Sequence, residues 1–418
     1  MTVAISTSVH QPNTLAEAIA RRRQGFSLEQ AFYTSPNFFQ HDMEAIYRKH
    51  WLFAGHVSRI PNAGDYFLYE VAGDSVVVIR DDDGSVKALL NICRHRGARI
   101  CQTEHGHCTK LVCPYHSWTF NKDGELFSCR DMAADFNKSQ FPLHRLHSRV
   151  VEGLIYVCFA KEPLDFEPIG RDIVPFLKPH QIANTKIAHR HRYLVNANWK
   201  LVIENFQECY HCAAAHPEYC RVMSWVTTLS SGAKSQTAET FRAYVEEWKA
   251  KPNRHFPKFV DATIDTIHEC SRTIIGPGKV SQSMGGKPVS RLLGEYTEYD
   301  GATTTVRVLT SWVASANDYA MVIRCTPLEA QLTEMDCNWM VHAEAREGID
   351  YNTDELTWLW KTTYGQDVML AENNQRGVNT HSYVPGPYAQ TESGTSLFVD
   401  WYLKQLRTHL DDESIDQV

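Results

Sequence analysis

The spacing of apolar and polar positions differs between two parts of the chain, and it changes near residue 165. Between about residues 45 and 165, apolar residues alternate or run briefly between turn signals such as DDG at 82–84 and NKDG at 121–124. Short runs with a period of two, separated by Asp/Asn-Gly turns, predict antiparallel strands joined as hairpins. We therefore predict a small antiparallel β domain over 45–165.

The remainder mixes strand and helix patterns and predicts a second domain over 166–418. Residues 226–290 have weak periodicity and are predicted to be loops over a site. Residues 1–44 are predicted to be a leader and a helix that packs on the second domain. The fold class is α+β, with antiparallel strands predicted at 187–195, 303–311, 319–326 and 334–342, and flanking helices at 198–219, 353–364, 367–374 and 398–410.

Composition excludes several function classes. The chain has 418 residues, of which 43% are hydrophobic and 22% charged, as in ordinary globular proteins. A formal net charge of −7 without a long Lys/Arg run argues against nucleic acid as a partner. No apolar run approaches the length of about 18 that a membrane span needs. Because residues 1–23 lack the features of a secretory signal, we expect a cytoplasmic protein.

Twelve cysteines and twenty histidines are many for such a chain. A disulfide framework is not expected in a large protein without a secretion signal, so clustered Cys and His indicate metal first. Three cysteines lie in apolar runs and are predicted to be small buried side chains instead: Cys158, Cys325 and Cys337.

Two predicted loops each offer one thiolate and one imidazole. Cys93 and His95 belong to the first, and Cys113 and His116 to the second. Zinc is the commonest partner of two cysteines and two histidines, but a zinc finger takes its histidines from a helix. Two hairpin-like loops suit a two-iron cluster that takes thiolates on one iron and imidazoles on the other. Zinc stays open as the alternative.

Four further side chains between these loops are possible competing ligands. They are Cys101, His105, His107 and Cys108, whose spacing fits no metal-site template. We predict that they belong to a solvated connecting segment.

A second cluster lies in the segment NWKLVIENFQECYHCAAAHPEY, residues 198–219. Glu208 and His211 share a helix face, but His216 is about 140° away from His211 on an ideal helix. Both imidazoles can reach one metal ion only if the helix is unwound or π-bulged there. Two imidazoles and one carboxylate form the non-haem Fe(II) arrangement that leaves positions for water, O2 and substrate.

CRHRG followed by CPYHSW resembles the Rieske [2Fe-2S] signature, and with HxxxxH the chain resembles the large, catalytic subunit of Rieske non-haem iron oxygenases. The resemblance runs from about residue 32 to 402. It implies a Rieske [2Fe-2S] cluster on the two loops and a mononuclear Fe(II) on His211, His216 and a carboxylate. Asp367 in GQDVMLAENNQRG matches the family position for that carboxylate, and Glu372 is its rival.

The same resemblance implies partners. Glu208 takes the place of the acidic residue that links His211 to the cluster histidine His116 of a neighbouring subunit, so a homotrimer is expected. The substrates are a small molecule and O2. No GxGxxG follows a strand, so we expect a separate NAD(P)H-dependent reductase of the flavin or ferredoxin type.

A narrower resemblance concerns the substrate. ENFQECYHCAAAHPE, LAENNQRGVNTHSYVPGPY and FVDWY resemble the branch acting on glycine betaine, proline betaine (stachydrine), choline and carnitine. It implies hydroxylation of an N-methyl group and demethylation with release of formaldehyde. The chain departs from that branch with WVA at 312–314 and TYG at 363–365. Aromatic faces should recognise a quaternary ammonium, and the candidates are Tyr210, Trp225, Trp312, Tyr319 and Tyr364.

Two alternatives share some of these features. An aromatic-ring hydroxylating mono- or dioxygenase acting on a small aromatic acid would carry the same metal ligands and a different pocket. A Rieske electron carrier would have the cluster and no catalytic iron.

Overall fold

A computed structural model describes residues 14–226, 236–252, 254 and 256–416. Within them, no helix is long and apolar enough to cross a membrane. The predicted leader lies mostly in residues 1–13, outside the described part.

The predicted β domain contains two antiparallel sheets. The larger has the strand order β1-β10-β9-β4-β3-β2-β5, and the smaller has the order β6-β7-β8. Turns close at DDG 82–84 and NKDG 121–124 as predicted, since Gly84 and Gly124 donate back to residues 81 and 121. The strands are β1 Leu52–His56, β2 Asp65–Val71, β3 Asp74–Arg80, β4 Val86–Leu90, β5 His105–His107, β6 Leu111–Val112, β7 Thr119–Phe120, β8 Leu126–Ser128, β9 Arg145–Val151 and β10 Leu154–Cys158.

The second part is built on a six-stranded antiparallel sheet of order β11-β16-β15-β14-β13-β12. Its two faces enter different clusters of buried side chains, so its central strands are buried on both faces. The mixed sheet-and-helix architecture confirms the α+β fold class. The strands are β11 Thr185–Val195, β12 His268–Ile274, β13 Ala302–Val308, β14 Ser311–Ser315, β15 Ala320–Glu329 and β16 Leu332–His342.

Helices pack on both faces of this sheet, because each of its two clusters of buried side chains includes residues from helices. The predicted helices 353–364 and 367–374 are one continuous helix, α9, because Gly365 and Gln366 continue it without a break. Residues Met43–Tyr47 form a π-helical turn after α3. The α-helices are α1 Leu15–Ala20, α2 Gln30–Thr34, α3 Pro36–Asp42, α4 Glu167–Leu177, α5 Trp199–Phe206, α6 Cys212–Ala215, α7 Pro217–Val222, α8 Gln236–Lys249, α9 Thr353–Val378 and α10 Ser393–Asp416.

The prediction of loops throughout 226–290 is wrong for α8 and for β12. Residues 227–235 lie outside the described part. Strand β12 has the alternating burial of a strand, but its buried face carries His268 and Arg272, which bind Asp172 and Asp300. Polar residues on the buried face hide the period-two signal.

The predicted strand 303–311 is two strands. Val308 pairs with Ser311 across a two-residue hairpin, and Leu309 takes a left-handed φ of 52° there. Such turns normally carry Gly, Asn or Asp, so Leu309-Thr310 gave no turn signal.

The N-terminal helices pack on the second part. Gln30 donates to the carbonyls of Val378 and Thr380 at the end of α9, and Tyr33 donates to Glu204 on α5. Tyr402 of α10 donates to Asp42 at the end of α3. These bonds join the chain termini to the elements that carry the site.

Candidate functional site

The segment predicted as one helix over 198–219 is broken twice. Helix α5 ends at Phe206, and α6 begins after His211, whose backbone amide and that of Tyr210 both donate to the Glu208 carboxylate. The second break is at His216, which has φ −123° and ψ 67°. Pro217 follows it, and a proline disfavours the helical conformation of the residue before it. The unwinding that two converging imidazoles require is therefore present.

The breaks bring His211 and His216 to Asp367 of α9. His216 Nε2 lies 2.9 Å and His211 Nε2 lies 3.4 Å from Asp367 Oδ1. The two rings are 5.0 Å apart between centroids and nearly perpendicular. Three donor groups thus converge on one point from two elements. This is the ligand type and number that a non-haem Fe(II) site uses.

Hydrogen bonds orient both rings. Glu208 Oε1 lies 2.6 Å from His211 Nδ1, and Gln366 Oε1 lies 2.8 Å from His216 Nδ1. A carboxylate or amide oxygen only accepts, so each Nδ1 carries a proton, and in the neutral form of each ring Nε2 presents the lone pair. Outer hydrogen bonds of this kind fix the tautomer of metal-binding histidines.

Charge and burial at this point suit a cation. His216 Nε2 is buried and, within the described residues, has no hydrogen-bond partner of good geometry. Burial opposes protonation of His211, but Asp367 and Glu208 raise its pKa to about 9. Burial also opposes ionisation of Asp367, yet the neighbouring His211 and His216 rings and a hydrogen bond from Asn205 hold its pKa below the usual value. The residues present fit a divalent metal.

The rival carboxylate, Glu372, makes other contacts. It accepts from the backbone and side-chain amides of Asn196 at 3.0 and 2.8 Å, and its other oxygen faces Arg376 at 3.8 Å. The structure does not bring it to the two imidazoles.

A disulfide joins Cys209 and Cys212, although the sequence predicted no disulfide framework. Their Cα atoms are 5.0 Å apart, since the chain turns between α5 and α6. Cys212 also brings its sulfur within 4.8 Å of ligand atoms of His211 and His216. In a disulfide this sulfur is not a thiolate, which leaves Asp367 as the anionic partner.

The two cysteine loops have the same local geometry. Cys93 O accepts from Gly97 N and Cys113 O from Ser117 N, each at 3.0 Å. Gly97 and Ser117 both have left-handed φ, which closes each loop tightly. The cysteines are buried and the two histidines exposed.

The loops meet each other. The His95 and His116 rings are 4.6 Å apart between centroids, and His95 stacks on Trp118 at 4.9 Å. Burial, with Cys113 beside it, raises the pKa of the Cys93 thiol. The two loops thus bring two buried thiols and two exposed imidazoles together, as a Rieske cluster requires.

The segment between these loops differs from the prediction in part. Cys101 is 7% exposed and packs among the buried apolar side chains of the predicted β domain, so it is not solvated. His105 and His107 are exposed on the short edge strand β5, where His107 Nδ1 lies 2.8 Å from Asp65. The three cysteines in apolar runs, Cys158, Cys325 and Cys337, are buried as predicted.

A cavity of about 610 Å³ opens beside Asp367. Its floor is one face of the six-stranded sheet, where Glu269, Arg307 and Trp312 pair across β12, β13 and β14. Its other walls come from the broken helices, α9 and the first turns of α10. Its aromatic lining is Phe206, Tyr219, Trp225, Trp312, Trp360, Tyr364 and Phe398.

Three of the five aromatic residues predicted to recognise a quaternary ammonium line the cavity. Trp225, Trp312 and Tyr364 line the cavity, whereas Tyr210 is 66% exposed and Tyr319 is buried elsewhere. Tyr219 and Trp360 were missed. Helical spacing was the available signal, since Tyr219 is three residues after His216 and Trp360 is seven before Asp367. The departures at 312–314 and 363–365 do contribute to the cavity wall.

Comparison with known families agrees with this geometry. Residues 50–143 match the Rieske [2Fe-2S] domain, and residues 182–263 and 310–408 match the catalytic domain of the ring hydroxylating alpha subunit. Catalytic domains of this kind bind mononuclear iron.

Individual relatives narrow the comparison. The chain is 36% identical over 406 residues to the glycine betaine monooxygenase oxygenase subunit of Pseudomonas aeruginosa (strain UCBPP-PA14), covering 96% of this chain and 93% of that one. The corresponding subunit of Chromohalobacter salexigens is 36% identical, covering 94% of this chain and 89% of its own. A solved quaternary ammonium Rieske monooxygenase shares the fold, with a TM-score of 0.70 at 21% identity, covering 96% of this chain and 99% of that one. The chain therefore belongs to the Rieske non-haem iron oxygenases, an oxidoreductase family, as a catalytic subunit.

Proposed function

We propose that this subunit hydroxylates an N-methyl group of a betaine-type quaternary ammonium compound and thereby demethylates it. The carrying observation is the aromatic-walled cavity that opens on His211, His216 and Asp367. Similarity to glycine betaine monooxygenase subunits over almost the whole chain supports the same substrate class.

His211, His216 and Asp367 would hold the mononuclear Fe(II). The four loop residues Cys93, His95, Cys113 and His116 would hold the [2Fe-2S] cluster. When bound, these groups supply O2 activation and single-electron transfer. The convergence of two Nε2 atoms and a buried carboxylate on one point supports the first assignment, and the matched loop geometry supports the second.

The chain's own contribution is binding, orientation and exclusion of water. A quaternary ammonium has no N–H to donate, so aromatic faces hold it, each contributing about 0.5 to 2 kcal/mol. Trp312 and Tyr364 are buried, which keeps bulk water from that side of the cavity. The hydroxylated methyl is a hemiaminal, which collapses to formaldehyde and a tertiary amine without further help.

Electron delivery between subunits is part of the proposal. Large apolar side chains beside the cluster loops are exposed, including Ile92, Val112 and Tyr115 at 42, 48 and 56%. Tyr210, next to His211, is 66% exposed. Exposed apolar residues beside both centres support a subunit interface there. A similar solved oxygenase is described with inter-subunit electron transfer.

We therefore propose a homotrimer in which Glu208 faces the neighbouring subunit's cluster. A separate NAD(P)H-dependent reductase of the flavin or ferredoxin type would supply the electrons, and the protein would work in the cytoplasm. We also propose the division into residues 1–44, 45–165 and 166–418, which the separate sheets support.

The test is turnover of purified oxygenase with a reductase, NADH and O2 on two substrates. We expect formaldehyde and dimethylglycine from glycine betaine in equal amounts, and none from an Asp367→Ala variant. A benzoate converted to a diol or phenol without formaldehyde would instead support the ring-hydroxylating alternative. Absence of product from both, with the cluster reduced, would support an electron carrier.

A further inference from the structure

We infer that Arg307 binds an anionic group of the substrate, so that the cavity selects zwitterions that carry a carboxylate near the quaternary ammonium. The inference deepens the proposed function and rests on it. The supporting observations are the position of Arg307 in the cavity, the charges around it, the length of its present hydrogen bonds and its nearness to the aromatic wall.

Arg307 lies in the cavity floor. It pairs with Glu269 on one neighbouring strand and with Trp312 on the other. Directly paired residues of adjacent antiparallel strands point to the same face of a sheet. All three line the cavity, as do Thr305 and Ala314 in the next row.

Arg307 is the sole Lys or Arg among the cavity-lining residues in the described part of the chain. The other charged side chains there are the acids and the two site histidines. An unopposed acidic lining would favour any cation, with or without a carboxylate. A guanidinium in the floor instead provides a place for one negative group. The lining acids are Glu208, Asp261, Glu269 and Asp367.

The donors of Arg307 are only weakly used. Its Nη1 lies 3.4 Å from Gln207 Oε1 and 3.5 Å from Glu269 Oε2, the outer limit of a hydrogen bond. Its side chain is 28% exposed. A guanidinium has five N–H donors and binds a carboxylate with two parallel bonds at shorter distance. A ligand carboxylate can therefore improve on both present contacts.

The aromatic wall begins next to Arg307. Residues paired across antiparallel strands have Cβ atoms roughly 5 Å apart, so the side chains of Arg307 and Trp312 enter the cavity from neighbouring positions on its floor. Burial raises the pKa of Tyr219, and the positive charge of Arg307 opposes this rise. The Tyr219 ring is 6.4 Å from that of His216 between centroids. A cation held by these rings thus has an anion site a few ångströms away. Betaines match this spacing because one or a few carbons separate their two charges.

The test compares two ligands that share the trimethylammonium group. Glycine betaine has a carboxylate where choline has a hydroxymethyl group. Dissociation constants for both would be measured by ligand-observed NMR titration on the cluster-containing protein. Binding needs no turnover, so this result and the turnover test of the proposed function can fail independently.

In Arg307→Met, we expect affinity for glycine betaine to fall about 10- to 100-fold, the loss for a bidentate charge-assisted pair. Affinity for choline should stay within about threefold. Arg307→Lys should be intermediate for glycine betaine, since it keeps the charge and loses the fork. Arg376→Met, which removes an exposed arginine from α9, is the control and should change neither constant.

Equal losses for both ligands, or unchanged betaine affinity, would overturn the inference. The visible spectrum of the cluster reports folding in each variant. If Arg307→Met lacks that spectrum, Arg307→Gln decides by the same two constants. Glu269→Gln gives a second check, because removing the competing carboxylate should leave betaine affinity unchanged or higher, and a fall would contradict the anion site.

Discussion

Single hydrogen bonds decide which ring nitrogens face the candidate iron site. Glu208 and Gln366 accept from the Nδ1 atoms of His211 and His216, so both Nε2 atoms face Asp367. Asn205 Nδ2 donates to Asp367 Oδ1 at 2.8 Å and holds the carboxylate in place. The orientation of the three proposed metal-binding groups therefore depends on polar side chains that do not bind the metal themselves.

Replacing Gln366 with Leu should weaken iron binding. The substitution leaves His216 Nδ1 without its acceptor and frees the ring to rotate or change tautomer. Loss of such a bond typically costs about 10- to 100-fold in metal affinity. Iron retained after dialysis against a graded chelator series measures this, with the cluster spectrum as internal reference. Met369→Gln, an exposed position on the same helix, is the control. Equal retention in wild type and Gln366→Leu would contradict the predicted role.

Glu204 should make stability depend on pH. It is buried beside Tyr33 and Tyr388, and burial raises the pKa of its carboxyl from 4.5 to about 7. The protonated form therefore stabilises the fold below about pH 4.5, and this stabilisation is lost as the pH rises through about 7.

Glu204→Gln should accordingly gain stability relative to wild type between pH 5 and pH 8, by roughly 3 kcal/mol. Thermal unfolding of both proteins at each pH measures the difference. Glu239→Gln, an exposed position on α8, should show a constant difference from wild type. A constant difference for Glu204→Gln as well would refute the buried-carboxylate account.

At the scale of elements, the site depends on where helices stop. The sequence pattern predicted a helix through 198–219 and also the distortion that converging imidazoles need. Pro217 explains one break, and the Glu208 bonds explain the other. The bonds were not predictable, because they depend on a side-chain rotamer that spacing does not determine.

Other elements were missed for physical reasons. The buried face of β12 carries His268 and Arg272, whose partners Asp172 and Asp300 are remote in sequence. Neither the pairs nor the strand could be inferred from local periodicity. The cavity floor was missed with them, including Glu269 on β12. The cluster loops were predictable because all four residues lie within two short motifs.

A buried ion pair between Lys200 and Asp42 lies where α3, α5 and α10 meet. Lys200 and Trp199 of α5 and Tyr402 of α10 all donate to Asp42 at the end of α3. Lys200→Met should destabilise the protein by about 3 to 5 kcal/mol, since it leaves Asp42 buried without its cation. Thermal unfolding measures this. The double variant Asp42→Asn/Lys200→Met should recover part of the loss, and a double variant less stable than the single one would contradict the pairing.

At the scale of the whole molecule, the two predicted metal centres belong to separate sheets. Within the described residues, Glu208 accepts hydrogen bonds from Tyr210 and His211 of its own segment, and none joins it to His116. Electron transfer by the proposed route therefore needs a second subunit.

Mixed oligomers test that requirement. Cys113→Ser removes the cluster from one chain, and Asp367→Ala removes the iron from another. Each alone should be inactive. With transfer in one direction around a trimer, every mixed trimer has one productive interface of three, so we expect the isolated mixed species to have about a third of wild-type activity. Tandem affinity tags would isolate the mixed species, with separately purified and then mixed variants as the control. Mixed species as inactive as the parents would contradict transfer between subunits.

The central claim is that a [2Fe-2S] cluster and one ferrous ion held by His211, His216 and Asp367 coexist in this chain. The most direct measurement is iron and acid-labile sulfide per chain in wild type and Asp367→Ala, produced anaerobically with ample iron. We predict about three irons and two sulfides in wild type, and about two irons and two sulfides in the variant. The Rieske spectrum should be unchanged. Absence of labile sulfide, or equal iron in both proteins, would contradict the account.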